Sequence, residues 1–148
     1  MRIRRILVPV DFSEPSLGAL RYAVALARML QASLDVLHVV EAVAYAPMVG
    51  PTFDLERLRE EREHGARRKL EQLVARLGKR RGRKQVLLRV GTAARSIVYE
   101  AKRRSYDLIV MATQGRHGVG RWLLGSVAER VVRTADCLVL IVPPRRAR

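Results

Sequence analysis

Apolar residues in this chain fall into short continuous runs that alternate with longer stretches of helical spacing. The run Ile6-Leu7-Val8-Pro9-Val10 ends abruptly at Asp11, which predicts a strand covered on both faces, as in a parallel sheet. Ser13 suits a helix N-cap, Pro15 its first turn, and Leu17, Leu20, Val24 and Ala27 recur at three- and four-residue intervals, giving a helix to about residue 30. Residues 33–40 read as a second strand and 42–52 as a loop containing Pro and Gly. A charged helix follows, capped by Asp54, lined by Leu70, Leu73, Val74 and Leu77, and closed by Gly78. Residues 85–90 form a third strand, and Gly91-Thr92 turns into a helix whose inner side carries Ile97, Val98 and Ala101. Residues 107–112 make a fourth strand. A loop rich in Gly and Arg then leads to Gly125-Ser126, to a helix with Val127, Val131 and Ala135, and to a fifth strand at 138–142.

Strand and helix alternate throughout, and every crossover is long enough for parallel pairing. The expected architecture is therefore α/β: one open, doubly wound, Rossmann-like parallel sheet with helices on both faces, a single domain over residues 1–148. Hydrophobic residues make up 49% of the chain, yet none of the runs approaches the roughly 18 apolar residues of a membrane span. The basic start at residues 1–5 precedes too short an apolar run for a secretory signal. A lone cysteine, Cys137, with no metal-ligand spacing around it, fits a reducing compartment, so the expectation is a cytoplasmic protein. Charge adds one question. With 29 Lys and Arg against 14 Asp and Glu, the net charge is +15, a field that attracts polyanions. Along the sequence the sparse aromatic residues do not interleave with the basic ones as stacking platforms require, and the densest basic cluster, residues 79–84, falls where a solvated turn is expected. Nucleic acid is accordingly a possible partner and not the favoured one.

In an open parallel sheet, ligands collect beyond the carboxyl ends of the strands where the strand order reverses. Two such ends carry chemistry. After the first strand, Pro9-Val10-Asp11 places a carboxylate that can accept from a sugar hydroxyl or a base amine. After the fourth, Ala112-Thr113-Gln114-Gly115-Arg116-His117-Gly118 leads toward Gly125-Ser126, where Gly-rich backbone, a helix N-terminus and a hydroxyl suit a phosphate, with Arg116 and Arg121 adding charge. Neither common phosphate motif applies. Arg121-Trp122 stands where a P-loop needs Lys and Ser or Thr, and the Gly118-Val119-Gly120 run lacks the final Gly of a dinucleotide fingerprint.

Taken together, Ile6-Leu7-Val8-Pro9-Val10-Asp11-Phe12-Ser13, Leu37-His38-Val39-Val40, Val90-Gly91 and Met111-Ala112-Thr113-Gln114-Gly115-Arg116, then nine residues, then Gly125-Ser126-Val127-Ala128-Glu129-Arg130-Val131, resemble the universal stress proteins over nearly the whole chain. The ATP-binding branch of that family has G-x-x-G, nine residues, then G-S/T. Here Ala112 replaces the first Gly. The resemblance implies a strand order of 3-2-1-4-5, ATP with Mg²⁺ as ligand, and a homodimer through the last strand. It further implies that Asp11 binds ribose or adenine, that Pro9, Val10 and Val39 frame the adenine, and that Met111 and Ala112 line the floor. Gly115 and Arg116 would follow the phosphates, with Gly125, Ser126 and Val127 donating to them.

The histidines do not suggest catalysis: His38 reads as a packed residue with a backbone hydrogen bond, His64 as exposed, and His117 has no acid or nucleophile at a recognisable spacing. Cys137 reads as a small buried hydrophobe. The expected function is a nucleotide-responsive binding module. The alternatives are a slow ATPase or adenylate-transfer enzyme using the same pocket, and a binder of nucleic acid or acidic partners driven by the basic surface.

Overall fold

The apolar runs and helical stripes form the elements their spacing predicts. The structure, a computed structural model, describes residues 2–41, 55–77, 84–113 and 124–144. In chain order these hold β1 (Arg5–Pro9), α1 (Glu14–Leu30), β2 (Ser33–Val40), α2 (Leu55–Arg76), β3 (Lys84–Val90), α3 (Ala93–Arg103), β4 (Leu108–Ala112), α4 (Ser126–Thr134) and β5 (Leu138–Val142). All strand pairs are parallel, and the order across the sheet is β3-β2-β1-β4-β5. The order implied by the resemblance is the one observed.

Alternate side chains of each strand enter different layers. Ile6, Val8 and Val10 join Leu20, Ala23 and Ala27 of α1 and Leu70 of α2 in one core. Leu7 points the other way, into a core with Leu37, Ile97 and Ala101 of α3 and Ala128 and Val131 of α4. Helices cover both faces of the central strands, which is why β1 and β4 carry uninterrupted apolar runs instead of alternation. β5 is different: β4 is buried along its whole length, whereas no residue of β5 is fully buried.

α1 starts as its sequence suggests. Ser13 is extended, its hydroxyl accepts from the Ser16 amide at 3.4 Å, and Pro15 lies in the first turn. The helix ends at Gln31 in the left-handed region, whose amide turns back to the carbonyls of Ala27 and Arg28. The fourth strand, expected over 107–112, begins one residue later, at Leu108. Asp107 instead accepts from the Arg4 and Arg5 amides, at 2.8 and 2.9 Å, and ties the start of β1 to the start of β4. The third strand extends back to Lys84, which pairs with Leu34. The expected loop 42–52, the Asp54 cap, the Gly78 stop, the basic residues 79–83 and the tail 145–148 lie outside the described residues.

Two buried acids escaped the hydrophobic pattern, and both are paired, as burial requires. Asp35 accepts from the Gln85 amide at 2.8 Å and from the Tyr106 hydroxyl at 2.5 Å. Burial, with this bond added, pushes the Tyr106 phenol well above its ordinary range. Glu100, fully buried on α3, is shared by Arg89, Arg103 and Arg104. Its burial pushes the carboxyl up, but hydrogen bonds from Arg103 and Arg89 outweigh that and hold it below the usual carboxylate range.

Candidate functional site

The reversal of strand order falls between β1 and β4, since β2 and β3 extend to one side of β1 and β5 lies beyond β4. Along this junction the ladder pairs Ile6 with Leu108 and Leu7 with Ile109, whereas the flanking ladders run on to Pro9 and to Ala112. The carboxyl ends of β1 and β4 therefore emerge side by side without a shared ladder, the setting for a ligand crevice in this class of sheet.

Sequence places the chemistry at these two ends. Pro9 closes β1, Val10 is buried and donates its amide to Leu37 at 2.8 Å, and Asp11 follows, half-buried. Met111 and Ala112 close β4 as buried residues. The chain after β4 is fastened twice. The Thr113 amide donates to Val142 at 3.3 Å, and its carbonyl accepts from the Gly125 amide at 2.7 Å, which draws the start of α4 back to the end of β4. Val39 of β2 and Val127 of α4 are half-buried against the core of this face. Thus Pro9, Val10, Asp11, Met111, Ala112, Gly125, Ser126 and Val127 are gathered at the junction of β1 and β4, with Val39 at the same end of β2. Gly115 and Arg116 lie outside the described residues, as do His117 and Arg121.

The two helix N-termini near the junction differ. The first turn of α1 is closed by its own side chains: Asp11 Oδ1 accepts from the Ser13 amide at 3.0 Å and from the Ser13 hydroxyl, while the Ser16 hydroxyl donates to the Ser13 carbonyl at 2.9 Å. Gly125, the N-cap of α4, is extended and brings no side-chain cap. Among the described residues no side chain caps the first-turn amides of α4, which with the positive end of its dipole suit water or an anion. Ser126 is exposed beside them. No cluster of three or more His, Cys, Asp or Glu that could hold a metal occurs among the described residues.

Sequence reasoning missed Phe12. Its φ of 64° is left-handed, a conformation costing a residue with a Cβ on the order of 1 kcal/mol. Its ring lies against His38, centroids 4.5 Å apart. His38 Nδ1 contacts the Val10 carbonyl at 2.7 Å; because a carbonyl only accepts, Nδ1 carries the proton. The backbone bond expected for His38 is thus present, and with the Phe12 ring it holds the segment on which Asp11 sits. The only sequence signal for Phe12 was its place between a strand end and a helix cap. His64 is exposed on α2, as expected. Cys137 is half-buried, and burial, reinforced by Asp107 and Asp136, pushes its thiol up, away from the reactive thiolate.

Comparison with known proteins bears on the family and the fold. The model of the universal stress protein family matches residues 2–143. Universal stress protein MJ0531 of Methanocaldococcus jannaschii is 33% identical over 141 residues, covering 94% of this chain and 81% of that protein. YxiE of Bacillus subtilis, also a universal stress protein, is 31% identical, covering 93% and 97%. Among solved structures, the hypothetical protein MJ0577 superposes with a TM-score of 0.79 at 24% identity, covering 99% of this chain and all of that one. A universal stress protein in complex with cAMP gives 0.69 at 22%, covering 98% and 100%. The resemblance read over nearly the whole chain is matched in sequence and in topology, and the chain belongs to the universal stress protein family.

Proposed function

We propose that this chain binds an adenine nucleotide, ATP with Mg²⁺, in the crevice between the ends of β1 and β4, and acts as a nucleotide-responsive cytoplasmic stress protein. The observation that carries the reading is the convergence, at the reversal of strand order, of a carboxylate at Asp11 with a helix N-terminus that has no side-chain cap at Gly125. A carboxylate serves the hydroxyls of a ribose or the amine of adenine, and an uncapped helix start serves phosphate. In this reading Pro9, Val10 and Val39 border the base, Met111 and Ala112 form the floor, and Gly115, Arg116, Gly125, Ser126 and Val127 follow the phosphates. The solved relative holding cAMP carries a ligand with the same two recognition groups. No residue is assigned a catalytic role: His38 is engaged with Val10, and the Cys137 thiol is held protonated.

The test is mass spectrometry of any small molecule released on denaturation, followed by calorimetric titration of the emptied protein with Mg-ATP. Binding abolished by Asp11→Ala or Gly115→Val supports the site. An empty protein that takes up no adenine nucleotide overturns it. Turnover of ATP well above that of Asp11→Ala would convert the reading to an enzyme.

The same proposal includes a homodimer through β5. This strand is an edge, its residues 137–142 carry no charge, and Leu138 is 47% exposed. An uncharged apolar edge is one that pairing covers.

A further inference from the structure

Along the sequence the aromatic residues do not interleave with the basic ones, but folding α3 brings one of them into a basic cluster. Tyr99 is 60% exposed. Arg95 lies one turn before it and Arg103 one turn after, both exposed, on the same side of the helix. Arg103 in turn shares Glu100 with Arg89, which reaches over from the end of β3, and with Arg104. One buried carboxylate against three guanidiniums leaves two positive charges uncompensated. Each guanidinium has five N–H donors, more than Glu100 uses, and the Arg89 and Arg103 side chains keep 39% and 41% of their surface in contact with solvent. Glu100 also fixes where the guanidiniums stand, so binding an anion there immobilises little that is not already ordered.

We propose that this face of α3 and β3 binds single-stranded nucleic acid, with a base stacked on Tyr99 and the flanking phosphates held by Arg89, Arg95 and Arg103. The ring decides between polyanions. An acidic protein segment or a sulfated sugar would use the guanidiniums alone, whereas a nucleic acid also supplies a flat base for an exposed ring beside them. The other exposed tyrosine on a described helix, Tyr22, lacks this setting, because the positions one turn away, Gly18, Ala19, Ala25 and Leu26, carry no basic side chain. The inference does not depend on the nucleotide crevice.

The experiment is fluorescence anisotropy of a labelled single-stranded oligonucleotide against the full chain over a series of salt concentrations. Tyr99→Ala weakens binding at least about fivefold, the lower end for one stacked base, Tyr99→Phe restores it, and heparin, which has no bases, binds both alike. Arg89→Ser with Arg103→Ser makes the slope of log affinity against log salt shallower by about 1.4, the value for two contacts to a single strand. Arg67→Ser with Arg68→Ser, an exposed pair on α2, removes the same charge and changes the slope much less. Asp11→Ala leaves oligonucleotide binding intact and so separates this site from the crevice. The proposal is overturned if Tyr99→Ala binds the oligonucleotide as tightly as the parent chain, or if the α2 pair reduces the slope as much as the α3 and β3 pair. Thermal melts confirm that each variant is folded.

Discussion

The sheet ends in two edges of opposite character. β3, on one side, begins at Lys84 and carries Arg89, whose guanidinium is tied to Glu100 on α3. β5, on the other, carries Leu138, Val139, Leu140, Ile141 and Val142, with none of them fully buried. Both edges present backbone groups that a neighbouring strand could take up, and charged side chains are a standard means of preventing that. The β3 edge has them and the β5 edge does not. A strand inside the sheet, β4, is buried throughout, so the exposure of β5 is the cover it lacks among the described residues.

The sharpest way to break this contrast is to give β5 the character of β3. Leu138→Lys with Val142→Lys is expected to weaken the proposed dimer by at least about tenfold, equivalent to about 1.4 kcal/mol, as read by sedimentation equilibrium. A mass unchanged by these charges would place the contact elsewhere. An effect of comparable size is expected at the anchor of the β3 edge. Glu100→Gln removes a buried charge that three arginines share, at a cost of roughly 2 kcal/mol in denaturant unfolding. Because the folded-state pKa of Glu100 is depressed, its contribution is complete above the unfolded carboxylate range and is lost as pH falls from about 5 toward the lower folded value. The parent chain should lose part of its stability through that window, and the Gln variant should lose less.

Smaller effects sharpen the β3 side further. β3 ends at Gly91, whose φ of 146° is one that side chains resist and whose added Cβ would stand 3.4 Å from Ser96 Oγ; Gly91→Ala should cost about 1 kcal/mol in the same assay. The least effect has the opposite sign. Gly65 lies inside α2, the helix packed on β3 and β2, and a Cβ there meets nothing within 4 Å. Gly65→Ala should therefore stabilise the chain by about 0.5–1 kcal/mol, visible as a higher denaturant midpoint with an unchanged slope.

Much of this arrangement was readable before any coordinates. The run from Ile6 to Val10 identified a doubly covered strand because its alternate side chains enter two different cores, and the stripes of α1 and α2 named Leu20, Ala27 and Leu70 for the same reason. That the two candidate ends lie side by side was legible in the strand order the resemblance implies, which sets a carboxylate after one apolar run and a glycine-serine pair after another on neighbouring strands. What stayed hidden depended on contacts distant in sequence. Glu100 looks like a surface residue on a charged helix until Arg89 arrives from β3, and Asp35 looks like an interruption in β2 until Tyr106 and Gln85 close around it. Tyr99 drew no notice in the sequence because helical spacing, not sequence adjacency, sets its neighbours.

The short ring of bonds among Asp11, Ser13 and Ser16 also bears on how the crevice could report its contents. Asp11 Oδ1 already accepts from the Ser13 amide and hydroxyl. A ligand hydroxyl arriving at that oxygen must compete with them, so a measured affinity at this end of β1 is a difference between two sets of bonds. Loosening Ser13 also loosens the cap of α1, a 17-residue helix that lies against β4 and β5. Ligand occupancy and the fraying of that helix are then two readings of one equilibrium, and hydrogen exchange at the first-turn amides of α1 becomes a meter for the ligand.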